Sequence, residues 1–84
     1  MTNDEVSARL GIKPKEGALI EATLGFGDGQ SAADALHMNY RSYRNKMGHI
    51  RRTMKIQSTL HLCVVYDRIR RGLSASEAMQ GLAT

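Results

Sequence analysis

Between residues 40 and 55 the chain places Tyr43, Met47, Ile50 and Met54 at spacings of four, three and four, one continuous apolar stripe on an α-helix. As a strand the same residues would divide between two faces, because strand side chains alternate. The other side of the helix carries Arg41, Arg44, Asn45, Gly48 and Arg52. A helix with one apolar stripe needs a cover, and the rest of the chain must supply it. With one Phe, three Tyr and no Trp, little in the composition favours a sheet, whereas alanine, leucine, methionine and arginine favour helices.

The covering elements are legible from their ends. Thr2 and Glu5 have capping-box spacing and Gly11 stands at a helix stop, which predicts a short helix over 3–10. Lys13-Pro14 opens a second helix, since proline has no amide proton to leave unpaired in a first turn. Ala18, Leu19, Ala22 and Leu24 carry it to Gly25, and Gly27-Asp28-Gly29 reads as a loop. Ser31 with Asp34 predicts a capping-box start for a very short third helix through Leu36. His37-Met38-Asn39 reads as a tight turn, with Asn39 capping the 40–55 helix. Ser58 caps a fifth helix closed by Gly72, and Ser74-x-x-Glu77 starts a tail helix over 75–81. The expected fold is therefore all-α, four to six short helices in a single domain over 1–84 with its core in 12–73. A domain this small buries only about 60–65% of its unfolded surface, a deficit that a partner subunit can make up.

Charge distribution says more than the net charge of +4. All eight acids lie at Asp4, Glu5, Glu16, Glu21, Asp28, Asp34, Asp67 and Glu77, so none falls between Ala35 and Tyr66. That acid-free stretch holds Arg41, Arg44, Lys46, Arg51, Arg52 and Lys55, half of the 12 lysines and arginines. Solvated helix faces usually mix signs; a one-sign block is the footprint of a polyanion partner. Gly48 in its middle permits close approach of either a phosphate backbone or a neighbouring helix.

A short helix, a three-residue turn and a longer basic amphipathic helix make a helix-turn-helix. The first helix braces against the nucleic acid backbone, and the second enters the major groove, about 12 Å wide. On this reading 40–55 is the recognition helix. Tyr40, Arg41, Ser42 and Asn45 are the candidates for base edges, and Arg44, Lys46, Arg51, Arg52 and Lys55 for phosphates.

Gly29-Gln30-Ser31 through Asn39, then Tyr40-Arg41-Ser42-Tyr43-Arg44-Asn45-Lys46-Met47, then Ile50-Arg51-Arg52-Thr53-Met54-Lys55-Ile56 and the ending Arg70-Arg71-Gly72-Leu73 follow one another in a familiar order. Residues 12–73 resemble the LuxR/GerE-type DNA-binding domain, an architecture shared by region 4 of bacterial sigma factors. The resemblance puts Ser42 at that family's threonine, Tyr43 at its buried valine, Arg44 at its DNA-contacting lysine and Lys46 at its histidine. The chain departs from it at His37, where the family has a turn glycine, and in the larger Met38 and Tyr43. It implies a transcriptional regulator on double-stranded DNA. It also implies a homodimer formed by the helix over 58–71, with Leu62, Val65, Tyr66 and Ile69 as its face. Packing of all these side chains into the core of one small domain is the other reading of that helix.

Other classes find less support. His37, His49 and His61 have no carboxylate at catalytic or metal-ligand spacing, so no enzyme, cofactor or metal site is expected. Cys63, the single cysteine, lies in an apolar run and reads as a small buried hydrophobe. Gly25-x-Gly27-x-Gly29 lacks the preceding strand and following Lys-Ser/Thr of a phosphate loop. The polar N-terminus and the absence of a long apolar run predict no leader and no membrane span, hence a cytoplasmic protein. Two exposed tyrosines at most are too few for an RNA stacking platform. The rival that stays open is a helix-turn-helix module binding a host regulator or RNA polymerase, with Asp4, Glu5, Glu16, Glu21 and the tail helix as a second surface.

Overall fold

The computed structural model describes residues 1–81 and contains six helices and no strand among them. They are α1 (Asn3–Leu10), α2 (Pro14–Phe26), α3 (Gly29–Ala35), α4 (Tyr40–Met54), α5 (Thr59–Arg70) and α6 (Ala75–Ala78). The small all-α domain expected from the sequence is what forms. No helix among the described residues is long and apolar enough to cross a membrane.

Local chemistry sets most of the helix ends. Thr2 and Glu5 close a capping box on α1, and Ser74 and Glu77 close another on α6. Asn39 Oδ1 accepts the Arg41 N–H at 2.8 Å, and Ser58 Oγ accepts the His61 N–H at 3.1 Å. The tail helix stops at Ala78, short of the expected 75–81. The start of α3 also differs. Asp28, not Ser31, is the cap: its carboxylate accepts the Ser31 N–H at 2.8 Å and the Ser31 hydroxyl at 2.9 Å, so α3 begins at Gly29. A carboxylate at N-cap outcompetes a hydroxyl one turn further on, because it also meets the positive end of the helix dipole.

These two bonds, the backbone one first, hold the Asp28 carboxyl below the usual carboxylate range. A lowered folded-state pKa means that the contribution is complete above the unfolded value, about 3.9, and fades as the pH falls through the folded one. Asp28→Asn keeps a capping oxygen without the titration. Its melting temperature is expected to fall less steeply than the parent's on acidification below about pH 4; superimposable acid limbs would contradict the assignment.

The core is built around α2, which packs against α1, α3, α4 and α5. Val6 from α1, Ile20 from α2, Ile50 from α4, and Leu62, Val65, Tyr66 and Ile69 from α5 are almost entirely buried. This corrects the expected dimer face. Leu62, Val65, Tyr66 and Ile69, at 0%, 1%, 0% and 0% exposure, lie inside the monomer because α5 is packed against α1, α2, α4 and α6. Leu60, 70% exposed, is the large apolar side chain that α5 leaves outside. Cys63 is buried as expected, and burial raises its thiol pKa.

A polar knot ties three helices together. The Tyr66 hydroxyl on α5 lies 2.7 Å from Asn3 Oδ1 on α1 and 2.8 Å from Glu21 Oε2 on α2. Asn3 Nδ2 in turn donates to the Pro14 carbonyl at 2.9 Å. Burial and the hydrogen bond to Glu21 push the Tyr66 phenol up, so it stays a donor.

Candidate nucleic-acid interface

The turn between α3 and α4 is fixed by backbone hydrogen bonds. His37 sits in the left-handed region at φ 55°, while its own N–H reaches Asp34 O at 3.1 Å and the Met38 N–H reaches Ala33 O at 2.8 Å. Histidine thus adopts a positive φ that a glycine would take without strain. Asn39 then caps α4, which begins at Tyr40.

The roll of α4 about its own axis is set by its apolar side. Tyr43, Met47 and Ile50 are buried and Met54 is half-buried, so the expected stripe faces the core. Thr23 on α2 donates its hydroxyl to Leu19 O at 2.8 Å, which leaves its oxygen to accept the Tyr43 O–H in a short buried bond. Burial raises the Tyr43 phenol, keeping that proton in place. The Tyr43 ring stacks on Tyr40 with centroids 6.1 Å apart, and the Arg44 guanidinium lies 5.9 Å over the Tyr40 ring. Gly29 makes room for this stack: a Cβ there would meet Tyr43 Cε1 at 2.8 Å and Tyr40 Cε1 at 3.3 Å.

With the roll fixed, spacings of three and four residues sort the polar side chains of α4 into two faces. Arg41, Arg44, Asn45, Gly48, Arg51 and Arg52 line one shallow depression of about 390 Å³. It continues past Gly48, Arg51 and Arg52 to Lys55, Ile56 and Gln57. Ser42 and Lys46 lie off this stripe, on the flank shared with His49 and Thr53. Lys46 and His49 line a separate groove with Lys13 and Lys15 at the start of α2. Of the nine candidate residues, then, the structure gathers Arg41, Arg44, Asn45, Arg51, Arg52 and Lys55 on one face. Tyr40 borders it through Arg44, and Ser42 and Lys46 stand apart.

Gly48 is buried on the arginine side of α4. A Cβ there would meet only Arg52 Nη1 at 3.4 Å and Arg51 Nη2 at 3.8 Å, so the glycine is a notch beneath two guanidinium groups and not a helix–helix contact. Arg51 is the least free of the α4 cations. It is half-buried, its Nη1 donates to Gln57 O at 2.9 Å, and its Nε is buried without a partner. It braces the α4–α5 turn besides adding charge.

No family model, curated protein or solved structure matches this chain. What the interface can do therefore rests on its own chemistry. The ion pairs among the described residues are those of Asp67 with Arg70 and Arg71. None of the α4 arginines is in an ion pair among the described residues, so their charges add to a field of one sign. His37, His49 and His61 are on the turn, α4 and α5, and no metal-ligating group of three His, Cys, Asp or Glu residues forms among the described residues. Sequence reasoning missed the placement of Lys13 and Lys15 beside Lys46. The signal was present in Lys13-Pro14-Lys15, but the segment was legible only as a helix start.

Proposed function

We propose that this domain is a transcriptional regulator that binds double-stranded DNA in a sequence-dependent way, with α4 in the major groove. One observation carries the reading: α4, which follows the short α3 and a tight turn, presents an acid-free face of arginine and asparagine beside its buried stripe. A groove about 12 Å wide admits one helix, and arginine and asparagine pair bidentately with guanine and adenine edges. Arg41 and Asn45, in the first half of α4, read bases. Arg44, Arg52 and Lys55 hold phosphates. Tyr40 lies at the edge of the contact, and Ser42 and Lys46 reach at most its flank.

Selection of binders from a random duplex library at near-physiological salt tests the proposal. An enriched site is expected, and Asn45→Ala should lose about 1–3 kcal/mol on it while losing far less on random DNA. No enrichment, or equal losses on both, would overturn sequence reading. Binding as a pair would appear as half-sites about 10 base pairs apart. Its contact must then come from outside the buried α5 residues, with Leu60 the exposed apolar candidate.

A further inference from the structure

A second surface lies on the other flank of α4. The start of α2, the α3–α4 turn and α4 enclose a groove of about 520 Å³. Its floor is aliphatic, formed by Leu19 and the half-buried Leu36 and Met38. Its rim is cationic: Lys13, Lys15 and Lys46 are all exposed, and none is in an ion pair among the described residues. The one acid in the lining, Glu16, is half-buried and its carboxylate accepts the Lys13 backbone N–H at 2.8 Å. It caps α2 and leaves the lysine side chains uncompensated.

We infer that this groove docks an acidic amphipathic segment of a partner protein, its apolar side chains on Leu19, Leu36 and Met38 and its carboxylates on Lys13, Lys15 and Lys46. The choice of occupant follows from the contrast with the arginine stripe. A phosphate backbone offers no apolar surface, and laying it over an aliphatic floor would desolvate charge without hydrogen bonds in return. A segment with leucine-like side chains on one face and carboxylates beside them satisfies floor and rim together. Because the groove and the arginine stripe occupy different flanks of α4, the occupant does not displace DNA. A regulator built this way can hold its site and a partner at once, and the inference does not depend on the DNA reading.

The test uses the full chain, labelled with nitrogen-15, and a synthetic helical peptide of about fourteen residues with leucines at helical spacing and glutamates elsewhere. Two control peptides carry lysine for glutamate or serine for leucine. The acidic leucine peptide is expected to shift the amides of Leu36, Met38 and Lys46 saturably. Lys13→Glu with Lys15→Glu, both at exposed positions, should weaken it about tenfold or more. Equal binding by the serine peptide, shifts confined to Gly48 and Arg52, or no saturable shift would overturn the inference. So would a short DNA duplex that moves the groove amides and is weakened by the same lysine reversals, since it would assign the groove to DNA. Failure of the arginine stripe to bind DNA would leave the peptide result unaffected.

Discussion

Gly17→Val is expected to destabilise the domain by about 3 kcal/mol or more, a fall in melting temperature of at least about 12 °C for a domain of this size. α1 crosses α2 so closely at Gly17 that a Cβ would lie 1.9 Å from Ser7 Oγ and 2.6 Å from Asn3 Oδ1. Both oxygens are already held in hydrogen bonds. Ser7 is fully buried, and Asn3 Oδ1 is the acceptor for both Ser7 Oγ and the Tyr66 hydroxyl. A side chain at 17 therefore pushes α1 away and breaks the knot that joins α1, α2 and α5. Gly25→Ala, on the same helix, is the internal control: a Cβ there meets nothing within 4 Å, so alanine's better helix propensity should raise stability by up to about 1 kcal/mol. A tolerated Gly17→Val, or equal losses at both positions, would refute the close crossing.

Arg41→Ala combined with Arg52→Ala is expected to lower affinity for a selected duplex by about 2–5 kcal/mol, roughly thirtyfold to several thousandfold. Both arginines are exposed and lie on the one stripe, so the helix content and melting temperature should stay near the parent's. Because Arg52 is assigned to phosphate, the slope of log affinity against log salt should also flatten by about one unit. Lys46→Ala, on the other flank, should cost far less. A double variant that binds as well as the parent, or Lys46→Ala as damaging as the double, would mean that α4 presents a different face to DNA.

The two halves of this account were not equally legible in the sequence. Helix ends could be read because their chemistry is local: Thr2 with Glu5, Asn39, Ser58, and Ser74 with Glu77 all cap where their spacing predicts. Asp28 was hidden inside a glycine pair that looks like loop, and the weaker Ser31–Asp34 spacing masked it. The α4 stripe was legible because its period is strong and its polar side carries one sign of charge. The fate of α5 was not. Leu62, Val65, Tyr66 and Ile69 are apolar enough for a core or for a dimer, and only the packing of α1, α2, α4 and α6 around them decides for the core. The division of the basic residues also needed the roll of α4, which depends on the Tyr43–Thr23 bond across twenty residues of sequence. Ser42 and Lys46 are close to Arg41 and Arg44 in sequence but face another groove. Sequence proximity on a helix is a poor guide to a shared surface.

The central claim, that the arginine face of α4 is where this domain meets duplex DNA, is tested most directly by mapping amide shifts as a selected duplex is titrated into the labelled chain. The expected result is a set of saturable shifts along Arg41, Asn45, Gly48, Arg52 and Lys55, weakening as salt is raised. Shifts centred on Leu60 or on the acidic α1, with the Gly48 and Arg52 amides unmoved, would contradict it.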